Sequence, residues 1–223
     1  MPALLRHYRV LRLDLPGHGA SSLIGGRTTW TVPQLANQVL LAADAAGIDQ
    51  FSFVGVSVGG MIGLWLAANT VRVRRLVVSN TSASVDAGVW SARIQTAREQ
   101  GLQALVDGTM QRWFNAGYLA TDPVDVATIR EHFLQVELGG YIGCSEAIRD
   151  VDLHACLAHI SAPTLVIAGI DDAAMPPRLG RAIADAVPGA QYVELATAHI
   201  PHIAEPLPFL ETILHHLAPG GSA

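Results

Sequence analysis

Lysine is missing altogether: all fourteen basic residues are arginine. Schiff-base chemistry and a P-loop, both of which need a lysine ammonium, are therefore excluded. Cysteine occurs only at Cys144 and Cys156, too few for a disulfide framework, so two unreactive thiols in a reducing cytoplasm are expected. Charged residues make up 15% of the chain, the net charge is −5 and no basic cluster interrupts it, which argues against a nucleic-acid partner. The chain does not open on a basic stretch followed by an apolar one, so no secretory signal is visible and a cytoplasmic location is expected. Residues 51–71 carry no formal charge and are long enough to raise the question of a membrane span. Gly55, Ser57, Gly59, Gly60 and Gly63 crowd the first half of that run, and a strand, a tight turn and a helix account for it better.

What is present reads as a folded domain. Half of the 223 residues are hydrophobic and the mean hydropathy is +0.33, enough to bury a substantial core. Residues 8–14 alternate as a strand and run into the turn Pro16-Gly17-His18-Gly19. Thr31 is placed to cap a helix over 32–46, which Gly47 would end. Strands are expected at 51–55, 75–79, 164–168 and 191–195, with helices at about 60–69, 178–186 and 207–217. Strands alternating with helices, several of them uniformly apolar, predict a mostly parallel α/β sheet covered on both faces. Between Thr81 and Ser161 the rhythm becomes purely helical, with candidates at 87–100, 101–115, 123–137 and 140–149. That predicts an α/β core made of 1–81 and 162–223, with 82–161 inserted as a helical cap over the strand C-termini. The tail 219–223 is expected to fray.

The chemistry is concentrated at Gly55-Val56-Ser57-Val58-Gly59, between a strand and a helix. A serine at such a corner is held in strained geometry with its hydroxyl presented above the sheet, and the helix beneath favours developing negative charge. The N–H of Val58 is then a candidate oxyanion donor. A serine nucleophile needs a base, and the base an orienting carboxylate, in the chain order Ser, Asp/Glu, His. The loop after 164–168 offers Asp171 and Asp172, and Asp172, deeper in the loop, is preferred. Asp171 would otherwise be a solvated turn residue or a helix cap. The loop after 191–195 offers His199 and His202, and His199, sooner after the strand, is preferred. A metal reading of His199 with His202 fails because Pro201 breaks a regular helical pair and no third ligand lies at useful spacing, so no metal and no cofactor are expected. His18 is expected to be structural, and His215-His216 to divide between a half-buried and a solvated side of the last helix.

With elbow, acid and base in place, the chain resembles the α/β-hydrolase superfamily along its whole length, and Leu15-Pro16-Gly17-His18-Gly19-Ala20-Ser21 resembles that superfamily's PGHGxS turn. More narrowly it is similar to the 3-oxoadipate enol-lactonases. Arg9-Val10-Leu11-Arg12, Val78-Ser79-Asn80-Thr81, Arg112-Trp113-Phe114 and Gly140-Tyr141-Ile142-Gly143-Cys144 carry that likeness, as does Ala147-Ile148-Arg149-Asp150-Val151-Asp152-Leu153. The resemblance implies Ser57, Asp172 and His199 as nucleophile, orienting acid and base, a small carboxylate-bearing lactone as substrate, and Trp113 as a pocket wall. An arginine clamp would suit such an anion, and Arg112 and Arg149 are the cap candidates. Pro16 departs from the arginine more usual there in these lactonases. Members of the group also carry further strands ahead of the segment matching Arg9-Val10, with the loop that supplies a second oxyanion donor. The expectation is accordingly that the sequence begins at an internal methionine or otherwise lacks its natural front. The leading reading is a carboxylic-ester hydrolase acting on a lactone. The alternatives are a weakly catalytic or non-catalytic small-molecule binder, or another triad enzyme such as a carbon–carbon hydrolase, thioesterase or cofactor-free peroxidase. A small ester or lactone is the expected partner, and a homo-oligomer is compatible with these features.

Overall fold

The computed structural model describes residues 2–121 and 123–218, so the tail 219–223 lies outside the described residues. Four strands, β1 (Phe51–Val56), β2 (Val73–Ser79), β3 (Thr164–Gly169) and β4 (Gln191–Leu195), form one sheet in the order β1-β2-β3-β4. Every pairing is parallel, with Val54 opposite Val77, Val77 opposite Leu165 and Ile167 opposite Val193. Period-two alternation divides the apolar side chains between two cores. Leu76, Val78 and Val166 point into the larger cluster, and Val77, Leu165 and Ile167 into the smaller.

Helices fill both faces. α1 (Pro2–Leu5), α2 (Val32–Ala45) and α3 (Val58–Asn69) come first, and Leu35, Met61, Leu64 and Leu66 enter the larger cluster. Thr31 caps α2 in a full capping box: Gln34 N donates to Thr31 Oγ1 at 3.4 Å and Thr31 N to Gln34 Oε1 at 3.1 Å. After β2 come α4 (Ala87–Gln100), α5 (Val106–Trp113), α6 (Ala116–Ala120), α7 (Val124–Gln135), α8 (Leu138–Arg149) and α9 (His154–Leu157). α10 (Pro177–Ala186) joins β3 to β4, and α11 (Pro201–Ala204) and α12 (Pro206–Leu217) close the fold. α12 lays Phe209, Ile213 and Leu217, spaced four apart, against Val77, Leu165 and Ile167. Its two histidines divide between two sides, His215 exposed as expected and His216 more deeply buried than the half-burial expected, with Nε2 3.2 Å from the Pro163 carbonyl.

Several sequence expectations are corrected. Residues 8–14 form no strand; they pair with no strand among the described residues, and Leu11 and Leu13 remain 45% and 42% exposed. The alternation was present, but a strand needs a partner for its backbone donors and acceptors, and this stretch is tied down instead through Arg9, whose Nη2 donates to the Ala46 carbonyl at 2.8 Å. The single helix expected over 101–115 is a 3-10 turn at Leu102–Ala104 followed by α5; Leu105, at φ −101°, separates the two, while Gly101 (φ 74°) and the extended Phe114 bound the segment. Helix α8 starts at Leu138, not residue 140.

The helical block between β2 and β3 is anchored at two places. Its entry and exit run side by side through an antiparallel bridge, Ser84 to Asp152, and Leu153 N donates to the Ala83 carbonyl at 2.9 Å. Its far end docks on the Pro-Gly-His-Gly turn, where Gly17 (φ 75°) meets Gly140 so closely that a Cβ on Gly17 would lie 2.6 Å from the Gly140 Cα. Glu137 N donates to the Gly17 carbonyl at 2.9 Å. His18 is structural within this turn, with Nδ1 3.0 Å from the Pro16 carbonyl; burial is the main influence on its pKa and lowers it.

Candidate active site

Each of the four parallel strands delivers one polar residue at its C-terminal end. Ser57 follows β1, Asn80 follows β2, Asp172 follows β3 and His199 follows β4. In a parallel sheet all these ends lie on one rim, so topology alone brings together residues more than a hundred positions apart.

Ser57 has φ 54° and ψ −121°, the left-handed corner expected between strand and helix. Its neighbours explain how the chain tolerates that corner. A Cβ on Gly55 would lie 2.2 Å from the Gly59 carbonyl carbon and oxygen, so only glycine fits there. A Cβ on Gly59 would meet nothing within 4 Å, so the second glycine of the pentapeptide is not demanded by space. Gly60, just after it, is the tight one, since a Cβ there would lie 2.7 Å from the Thr81 side chain. Thr81 Oγ1 donates to the Ser57 carbonyl at 2.7 Å, and Ser57 N donates to the Ser79 carbonyl at 2.9 Å, fixing the corner from the β2 side. Ser57 Oγ makes no hydrogen bond to a described residue. Val58 opens α3, and no backbone acceptor among the described residues takes its N–H, which is therefore a free donor at a helix N-terminus.

Of the two aspartates, the structure brings Asp172 to the histidine. Asp172 is 3% exposed, and both oxygens are saturated. Oδ1 accepts from Ala174 N and Met175 N, each at 2.8 Å, while Oδ2 faces His199 Nδ1 at 2.8 Å and accepts from Asn80 Nδ2 at 2.9 Å. Asp171 is exposed and accepts instead from Asn115 Nδ2 at 2.9 Å. His199 is buried, whereas His202 lies exposed on α11. With Nδ1 held by the carboxylate, the proton belongs on Nδ1 and Nε2 keeps its lone pair. Trp113 covers this imidazole. Its carbonyl accepts from His199 N at 3.1 Å, and the two rings stack with centroids 6.4 Å apart.

Asn80 went unrecognised as a site residue in the sequence. It has φ 50°, which asparagine tolerates better than most residues, and it is 2% exposed. Its Nδ2 reaches Asp172 Oδ2 and the Ala198 carbonyl, the latter at 3.0 Å, while its Oδ1 accepts from Ser79 Oγ at 2.5 Å. The available signal was a buried-strand run ending in Ser79-Asn80-Thr81, three polar residues at a strand exit where ligands bind.

The two expected arginine clamps fare differently. Arg149 is committed to Asp150 by a two-pronged pair, Nε to Oδ1 and Nη2 to Oδ2, both 2.7 Å, so it is corrected from a substrate clamp to a local ion pair. This pairing raises the Arg149 pKa and lowers that of Asp150. Arg112, half-buried in the last turn of α5, makes no hydrogen bond or ion pair with a described residue. Among the described residues no cluster of three histidine, cysteine, aspartate or glutamate side chains gathers to hold a metal, and no helix is long and apolar enough to cross a membrane.

Comparison with known proteins agrees with this architecture. A family model described as alpha/beta hydrolase fold matches residues 1–138. The 3-oxoadipate enol-lactonase 2 of Acinetobacter baylyi is 34% identical over 204 residues, covering 91% of this chain and 76% of that protein. The crystal structure of the enol-lactonase from Burkholderia xenovorans LB400 superposes with a TM-score of 0.94 at 39% identity, over 97% of this chain and 83% of that one. A hydrolase from Pseudomonas aeruginosa gives 0.93 at 36% identity, over 98% and 83%.

Proposed function

The chain belongs to the alpha/beta hydrolase fold family, and from that premise we propose that it is a serine hydrolase that opens a carboxylic ester, with a carboxylate-bearing enol-lactone as its substrate class. Ser57 is the nucleophile, His199 the base and Asp172 the orienting acid. The observation that carries the reading is the buried Asp172–His199 pair, 2.8 Å apart, on the same sheet rim as a serine in strained left-handed geometry.

In the first half-reaction Ser57 Oγ attacks the lactone carbonyl while His199 Nε2 takes its proton. Negative charge collects on the carbonyl oxygen, where the Val58 N–H and the N-terminus of α3 stabilise it. Collapse of this intermediate breaks the ring C–O bond, and the departing oxygen receives the proton from Nε2. The opened chain stays on Ser57 as an acyl-enzyme. Water, deprotonated by His199, then attacks the acyl carbon, and Ser57 Oγ leaves and recovers its proton. One water is consumed and no electrons are exchanged. The serine–histidine hydrogen bond is expected to tighten on substrate binding, as such contacts commonly do. The narrower choice of an enol-lactone rests on likeness to proteins named for that activity.

The test compares the protein with Ser57→Ala for labelling by a fluorophosphonate and for turnover of 4-nitrophenyl acetate and of a carboxylate-bearing enol-lactone. Ser57→Ala is expected to abolish labelling and to lower kcat by about 10⁴-fold or more. Labelling that survives in Ser57→Ala overturns the nucleophile assignment. Turnover of the neutral ester without any turnover of the lactone overturns the substrate class.

A further inference from the structure

A half-buried arginine in the cap carries a charge that no carboxylate balances. Arg93, on α4, directs Nη2 at the hydroxyl of Tyr141 (2.9 Å) and at Thr109 Oγ1 (3.1 Å). Its Nε is buried without a partner, and among the described residues it forms no ion pair. Both hydroxyls sit in the protein interior: Thr109 is fully buried and Tyr141 is 8% exposed. Thr109 Oγ1 uses its own hydrogen on the Leu105 carbonyl at 2.8 Å, so it can only accept from the arginine. The Trp90 ring lies 5.6 Å from the guanidinium carbon. Two neutral hydroxyls and a π face hold the cation in place and leave its charge uncompensated. That arrangement leaves the guanidinium able to take an anion.

The surroundings connect this cation to the proposed catalytic rim. Thr109 and Trp113 are four residues apart on α5, on the same helix face, about 6 Å along the axis. Thr109 touches Arg93, and Trp113 stacks on His199. A second line of contacts runs parallel to the first. Trp113 packs edge-on against Phe133 (6.0 Å), Phe133 against Tyr141 (5.6 Å), and Tyr141 holds Arg93. Arg93 and His199 thus stand at the two ends of one line of packed aromatic side chains. We propose that Arg93 is the anion anchor of the site, binding the substrate's carboxylate while the scissile carbonyl lies at Ser57, with Tyr141 and Thr109 as positioning residues. This rests on the hydrolytic reading of the preceding subsection but assigns the anchor to α4, not to Arg112 or Arg149.

The test uses binding without turnover, so that it stands apart from that reading. Calorimetry measures glutarate, a five-carbon dicarboxylate, binding to Ser57→Ala and to the double variants Ser57→Ala/Arg93→Gln and Ser57→Ala/Tyr141→Phe. Arg93→Gln is expected to weaken glutarate by about 30-fold or more, the loss of a charge-assisted pair, and Tyr141→Phe by a smaller factor. Ser57→Ala/Arg112→Gln should bind glutarate as Ser57→Ala does. Should Arg93→Gln fail to fold, Arg93→Lys provides the comparison, keeping the charge but losing the fork that engages both hydroxyls, with an affinity between the two. Equal affinity with and without the Arg93 guanidinium, a dominant effect of Arg112→Gln, or no glutarate binding to folded Ser57→Ala overturns the proposal. None of these results depends on whether the protein hydrolyses an ester.

Discussion

Residues 8–14 and β1 present almost the same sequence pattern, apolar residues alternating with others just before a glycine-containing turn, yet only β1 is a strand. β1 finds β2, and every residue from Phe51 to Val56 has a registered partner. Residues 8–14 lie beside the core without entering the ladder; Tyr8 packs under the smaller cluster while Leu11 and Leu13 face outward. Apolar alternation states which face a segment would bury, but the backbone groups of an extended segment are satisfied only by another strand. The chemistry follows the same division. All four polar residues of the candidate site leave the ends of hydrogen-bonded strands, and residues 8–14 contribute to the site only indirectly, through the turn that follows them and docks α8.

Three tests by substitution sharpen this contrast, beginning with the most disruptive. Asp172→Asn preserves shape but replaces one acceptor oxygen with a donor, so it cannot orient the histidine and satisfy its backbone donors together. It should lower kcat by about 10⁴-fold while the protein remains folded. Retention of kcat within tenfold would remove Asp172 from the relay.

The elbow comes next. Gly55→Ala drives a methyl group into the Gly59 carbonyl, a backbone collision that cannot relax by changing a rotamer. It should cost about 3 kcal/mol or more in chemical denaturation, whereas Gly59→Ala, facing open space in a helix, should change stability by less than about 1 kcal/mol. Equal effects would show that the two glycines serve the corner alike.

The smallest effects are expected from the leading segment itself. Leu13→Ser should alter stability by less than about 0.5 kcal/mol, against about 2 kcal/mol for Val77→Ala in the fully buried centre of β2. A Leu13→Ser cost as large as that of Val77→Ala, by urea unfolding of both, would mean that residues 8–14 are paired in solution after all.

Much of the fold was legible because its signals are local. The apolar run at 164–168 and the run Gln191-Tyr192-Val193-Glu194-Leu195 became β3 and β4 with ends within a residue, and the Thr31 cap marked the start of α2. The elbow was readable for the same reason: a strand, a glycine, a serine and an apolar helix are contiguous. Less legible were breaks that depend on single backbone angles, such as Gly101, and the close glycine contact between Gly17 and Gly140, whose partners are far apart in sequence.

The amino-acid sequence by itself determined which chemistries were open. No lysine meant no Schiff base, and the order serine, aspartate, histidine at strand exits pointed to an acyl transfer. Only the tertiary structure decided between neighbours of identical type. Asp171 and Asp172 are adjacent and chemically the same, but successive loop residues point in different directions, and one meets Asn115 while the other meets His199 and Asn80. The arginines divide likewise, since Arg149 has Asp150 beside it in the chain and Arg93 has only hydroxyls brought to it by other helices. Residue type is written in the chain, but a charge's partner is set by what the packing of distant elements places within about 3 Å of it.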